Sequence, residues 1–307
     1  MMGFKISRRA WIRQAATVAL SPWLFSSVHA QTQATARKLR VVASFSILAD
    51  MAREVGGDAV DVTALVGPDG DAHVFEPTPA DVKRLSNADL VIVNGLRFEG
   101  WIERLIQVSG YRGPVVVVSH GITTRLLGPV PDPHAWQSLA NARRYVDNIR
   151  GALVAARPAQ ATAIERRSAD YLRRVDALDA SVRARLGQIA PADRRVVTSH
   201  DAFGYFADAY GVTFVSAIGW STGSEASAAD VSRIVRQLKA QNVRAVFVEN
   251  ISDARLVQRI AHEAGARVGG TLYSDALSPP GTSGDSYLRM FEHNASTLLA
   301  ALQARVP

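Results

Sequence analysis

Along this chain, short apolar runs alternate with stretches whose apolar positions recur at helical spacing. Residues 39–45 (LRVVASF) predict a strand and 47–55 a helix, then 60–66 a second strand. Thr78-Pro79-Ala80-Asp81 opens a helix, with Thr as cap, Pro in the first turn and Asp at the positive end. Residues 90–94 and 115–118 are continuous apolar runs, the pattern of strands buried on both faces of a parallel sheet. The alternation resumes later. Strands are predicted at 195–198, 212–218, 245–248 and 267–272, and helices from 201 and at 228–239, 253–264 and 286–304.

Between the two series lies a stretch with few breakers, from Pro158 to about Ile189. Leu172, Val175, Val182, Leu186 and Ile189 fall on one helical face. Such a helix is about 45 Å long, more than a crossover requires, and reads as a rigid spine between two α/β lobes. The expected organisation is an N-terminal lobe at 31–157, a linking helix at 158–190 and a C-terminal lobe at 191–307.

The first thirty residues stand apart. Lys5, Arg8, Arg9 and Arg13 precede a mostly apolar segment from Ala15 to Val28, too short to span a bilayer, and Val28-His29-Ala30 offers a cleavage site. Residues 1–30 are therefore expected to be a signal peptide. Ser7 to Arg13 suits a twin-arginine export signal and equally a general one that carries two arginines. With it removed, the formal charge falls from +7 to about +3, from 31 basic against 28 acidic residues, and no basic run points to nucleic acid. The chain has no cysteine, which excludes thiolate metal sites, a cysteine nucleophile and a cysteine-linked lipid anchor. The expectation is a soluble, monomeric periplasmic protein.

Six histidines remain, and three sit where a strand or loop meets a helix start. His73 lies in GDAHVFEPTP, ahead of the Thr78 cap. His134 lies in PDPHAWQS, where Asp132 can cap and Pro133 take the first position. His200 lies in VVTSHDAFGYF at a strand end, with Ser199 available as cap. Ligands of open α/β sheets bind at such junctions, and a helix N-terminus favours the neutral imidazole that metals need. Asp275 ends the strand-like GGTLYSD and completes a set of three imidazoles and one carboxylate, which suits tetrahedral zinc, whereas manganese prefers more oxygen. Two ligands precede the spine and two follow it, which places the metal between the lobes. His120, His262 and His293 read as structural or solvated.

The segments around these residues, among them DAHVFEPTPADVKRLSNADLVIVNGLRFEGWIERL, DPHAWQSLANARRYVDNI, VVTSHDAFGYFADAYGV and VFVENISDARLVQRIAHEAGARVGGTLYSDALSPPG, resemble the cluster A-I (ZnuA/TroA-like) family of exported zinc- and manganese-binding proteins of ABC importers. The resemblance covers nearly all of the chain after the signal. It implies two similar α/β lobes on one long helix and ligation by His73, His134, His200 and Asp275. It further implies high-affinity delivery of Zn2+, with Mn2+ as the alternative, to a membrane permease driven by a cytoplasmic ATPase, and no catalysis. The histidine at 200 tilts the resemblance toward zinc, since manganese members often carry Glu there. Residues 97–133 hold only His120, so the His- and acid-rich loop of many zinc members is missing. Its role is assigned, as a hypothesis, to a separate periplasmic metallochaperone. Asp71 stands one residue too early to be the fourth ligand.

One reading from another class competes. Gly219-Trp220-Ser221-Thr222-Gly223 matches G-x-S-x-G, and Asp275 and His293 follow in the order of an α/β-hydrolase triad. A nucleophile elbow needs a helix directly after the serine, and TGSEASAAD intervenes.

Overall fold

The computed structural model describes residues 37–304, apart from 220, 224–226, 241, 242 and 244, so the expected signal peptide lies outside the described residues. Its first half builds the parallel sheet β2-β1-β3-β4 from β1 (Leu39–Phe45), β2 (Val60–Val66), β3 (Leu90–Val93) and β4 (Val115–Val117). The crossovers carry α1 (Ser46–Gly56), α2 (Pro79–Ser86) and α3 (Ile102–Ser109). Thr78 caps α2 as its sequence requires: its hydroxyl and Asp81 form a reciprocal capping box, with Pro79 in the first turn. A two-residue antiparallel hairpin, β5 (Leu126–Leu127) with β6 (Val130–Pro131), follows β4.

After α4 (Leu139–Ala156) and a 3-10 turn at Pro158–Gln160 comes the predicted spine, α5 (Ala161–Gly187). Its 27 residues span about 40 Å. It buries Ile164, Tyr171, Val175, Val182 and Leu186 on one stripe, while Leu172, expected on that stripe, is only partly covered.

The second half repeats the topology. β7 (Arg195–Thr198), β8 (Thr213–Ser216), β9 (Ala245–Glu249) and β10 (Arg267–Leu272) form a parallel sheet in the order β10-β9-β7-β8. The first strand of each half pairs with both the second and the third, and the fourth takes the edge. The helices are α6 (Gly204–Tyr210), α7 (Ala228–Ala240), α8 (Ala254–Ala264) and α9 (Tyr287–Gln303). The fold is thus α/β, with two lobes and one long connecting helix.

Three local expectations need correction. Val115 and Val117 are each 41% exposed, because β4 is an edge strand and only β1 and β3 are enclosed. No α-helix begins at Asp132–His134; a 3-10 turn at Ala135–Gln137 intervenes, and α4 starts at Leu139. Ser199 caps no helix either, since α6 begins only at Gly204 and the Ser199 hydroxyl is buried without a hydrogen-bond partner. In the last two cases the backbone that sequence patterning assigns to a helix start is an irregular bend that carries a histidine.

Candidate metal centre

All four predicted residues meet at one point. His73 follows β2, His134 follows the β5–β6 hairpin, His200 follows β7 and Asp275 follows β10, so the carboxyl ends of the two parallel sheets supply three members and the hairpin the fourth. One ligand atom from each lies within 4.8 Å of every other. His73 Nε2 and His200 Nε2 each stand 3.1 Å from Asp275 Oδ2. His73 Nε2 and His134 Nε2 are 3.3 Å apart, and His134 Nε2 is 3.7 Å from Asp275 Oδ1. Ligands held about 2.0–2.1 Å from a tetrahedral zinc stand about 3.4 Å from one another, so these edges match that geometry.

The donor chemistry fits as well. The His73 side chain is 1% exposed and the other three are fully buried. Two buried imidazole nitrogens facing each other at 3.3 Å, and a buried Asp275 Oδ1 without a hydrogen-bond partner, are costly arrangements unless a cation joins them. Among the protein atoms alone, protons do part of that work. Burial opposes a charge on His200, yet Glu249 and Asp275 outweigh it and hold that imidazole well above its usual range. Burial likewise opposes ionisation of Asp275, but His200 and His134 hold its carboxyl well below the usual carboxylate range.

Each ligand is set by a neighbour. His134 Nδ1 donates to Asp132 Oδ1 at 2.9 Å, and His134 N donates to the same oxygen at 3.0 Å. His200 Nδ1 lies 2.5 Å from Glu249 Oε2, while His200 N donates to Glu249 Oε1 at 2.9 Å. Asp132 thereby leaves His134 Nε2 with its lone pair toward the centre, and Glu249 lies behind His200 Nδ1 as a close charge contact without hydrogen-bond alignment. His73 N donates to Asp71 Oδ1 at 2.9 Å, and Thr222 donates from its hydroxyl to Asp71 Oδ2 at 2.5 Å. Asp71 is therefore spent on the turn and lies outside the cluster. Trp136 Nε1 and Gln137 Nε2 both donate to the carbonyl of Ser274, at 2.9 and 2.6 Å, which ties the His134 segment to the residue before Asp275. Phe98 packs edge-on to His73 at 4.7 Å between ring centroids, and Trp136 lies 5.3 Å from His134, so the floor is aromatic.

The sequence profile of the family described as "Zinc-uptake complex component A periplasmic" matches residues 41–301. The chain belongs to this family. Curated relatives include the iron-binding protein YfeA of Yersinia pestis, 34% identical over 271 residues that cover 86% of each chain. The manganese-binding lipoprotein MntA of Bacillus subtilis is 34% identical and covers 87% of this chain and 90% of its own. Among solved structures, the periplasmic zinc-binding protein TroA of Treponema pallidum superposes with a TM-score of 0.83 at 32% identity, over 87% of this chain and 99% of that one. A cadmium-bound periplasmic metal-binding protein of Candidatus Liberibacter asiaticus gives 0.78 at 29% identity, over 86% and 100%. Members of the zinc-uptake component A family are substrate-binding parts of transporters, not enzymes.

The hydrolase alternative fails on the same geometry. The Ser221 hydroxyl accepts from Gly223 N, Asp275 is held by imidazoles, and His293 Nε2 lies 2.9 Å from the carbonyl of Thr271. The next helix, α7, begins seven residues after Ser221. His120 and His262 are exposed and stand apart from the cluster. Sequence reading missed Asp132 as a partner of His134 and Glu249 as a partner of His200. The available signal was weak: Glu249 ends a run of apolar residues, and Asp132 precedes a proline like an ordinary cap.

Proposed function

We propose that this protein captures one divalent transition-metal ion, zinc in the first instance, through His73, His134, His200 and Asp275, and delivers it to an ABC-type permease driven by a cytoplasmic ATPase. The convergence of three imidazoles and one carboxylate from four separate segments on one buried point carries this reading. Three nitrogen donors and one oxygen favour zinc. Ligation entirely by protein, with no position left for water, suits a carrier rather than a catalyst. Proposed with it are cleavage of the signal after Ala30, lobes at 31–157 and 191–307 around a link at 158–190, a monomer in the periplasm, and supply by a separate metallochaperone. Among the described residues no helix is long and apolar enough to cross a membrane. The proposal of no lipid anchor rests on the lack of cysteine alone, against relatives that are named lipoproteins.

Manganese is the second reading. Relatives are named for manganese and iron, and Asp275 Oδ1 stands 3.7 Å from His134 Nε2, where a bidentate carboxylate supplies a fifth donor. Competition titration of metal-stripped protein, residues 31–307, against a chromophoric chelator separates the two. One zinc bound at nanomolar or tighter affinity, with manganese at least about a hundredfold weaker, establishes zinc. Manganese equal to or tighter than zinc changes the cargo and keeps the mechanism. No tight site for either ion refutes the function.

A further inference from the structure

Resting on the metal-binding reading above, we propose that Arg125 is the positioning residue for His134, a bolt between the two halves of the chain that sets how long the metal is held. Its guanidinium NH1 donates to Asp132 Oδ2 at 3.0 Å, and Asp132 uses its other oxygen to accept from both His134 N and His134 Nδ1. Arg125 Nε lies 3.3 Å from Asp208 Oδ2 on α6, in the opposite half. The backbone closes the same bridge. Arg125 N donates to the Tyr205 hydroxyl at 2.9 Å, that hydroxyl donates to the carbonyl of Asp132 at 3.2 Å, and Asp132 N donates to the carbonyl of Arg125 at 2.9 Å.

The opposite half is shaped to receive the arginine. A Cβ placed on Gly204, the first residue of α6, would collide with the guanidinium. Gly204 has no left-handed backbone to explain it, so the space it leaves is what the arginine uses. The two carboxylates behind the ligand imidazoles are thereby made unequal. Asp132 is fully buried but neutralised by a cation that is 29% exposed, and Arg125 is its link to solvent. Glu249, behind His200, is fully buried and faces His200 itself. Arg125 thus fixes the carboxylate that holds the ring of His134 in direction, and any separation of α6 from the hairpin frees the His134 segment.

The test is zinc release into excess chelator from the zinc-loaded protein, read by stopped flow, together with the ring N–H resonances of His134 and His200. Arg125→Met removes the cation. Gly204→Ala displaces the guanidinium while leaving every charge in place. Both are expected to speed zinc release about tenfold, the scale on which partners of ligand histidines act. The His134 Nδ1–H signal shifts in both and the His200 signal stays. Arg125→Lys, which reaches Asp132 but cannot fork to Asp208, restores part of the residence time. Wild-type release rates in both Arg125→Met and Gly204→Ala overturn the proposal. So does a shift of both histidine signals together with a lowered thermal midpoint of the zinc-stripped protein, which marks a general packing role. Failure of the unaltered protein to hold zinc refutes the metal-binding reading instead, and the His134 signal of the zinc-stripped variants still decides whether Arg125 positions that ring.

Discussion

His73 and Asp275 are the residues on which the centre turns, since Asp275 Oδ2 lies 3.1 Å from both His73 and His200. Replacing Asp275 with Ala removes the one carboxylate donor and leaves a buried cation with three neutral imidazoles and no ligand to offset its charge. Asp275→Ala and His73→Ala are each expected to weaken zinc at least about a hundredfold in the chelator titration. An unchanged affinity in either removes that residue from the ligand set. Glu249→Gln keeps the shape of the side chain but loses the carboxylate behind His200 Nδ1, and is expected to cost about ten- to a hundredfold in zinc affinity by the same measurement. The four candidate ligands were picked out at this scale by their places at loop and strand ends and by the family-like segments around them. Their partners were not. Asp132 precedes a proline as a helix cap would, and Glu249 closes a buried strand, so neither residue type nor neighbours distinguishes a carboxylate that holds an imidazole from one that caps or is solvated.

The Thr78–Asp81 capping box of α2 was read correctly, whereas the cap-like Asp132-Pro133 and Ser199 start no α-helix. α3 went unread and α4 begins later than its cap-like residues suggest: the residues before them, Trp101 and Ser138, make no side-chain cap. Packing also creates a charge problem invisible in the sequence. Asp50 on α1 accepts from Tyr287 N at the start of α9 at 2.8 Å. Burial raises its carboxyl to about 6, with Glu54 adding to the rise and the Tyr287 hydrogen bond opposing it. A carboxyl raised on folding contributes stability that is full below about pH 4 and is lost as pH climbs through about 6. Asp50→Asn keeps the acceptor for Tyr287 N and removes the ionisation. It is expected to stabilise the protein at pH 7 by about 3 kcal/mol and to flatten the dependence between pH 4 and 7. Urea unfolding of both proteins across that range checks it, and parallel curves would show that Asp50 ionises freely.

For the whole molecule, the four ligands bring together segments from both sides of α5, so metal and fold support each other. At a free zinc concentration about a thousand times the dissociation constant, binding adds about 4 kcal/mol, or roughly 10 °C in the thermal midpoint of a chain this size, reversed by chelator. Calorimetry with and without zinc reads this directly. The long α5 packs on both α1 and α9, and the Trp136–Ser274 and Gln137–Ser274 hydrogen bonds join the halves near the centre. The radius of gyration in solution is therefore expected to stay the same on loading, with movement confined to the ligand loops; a clear compaction would show hinge closure. The sequence by itself determined the alternation of strands and helices, the spine and the four candidate ligands, because periodicity, caps and the placement of histidines are local properties. Only the tertiary structure decided that β4 lies at an edge, that Asp132 and Glu249 face imidazoles, and that Arg125 reaches a glycine 79 residues away. Those facts depend on which strand is laid down last and on which side chains meet when the two sheets close on one point, and no local pattern records that.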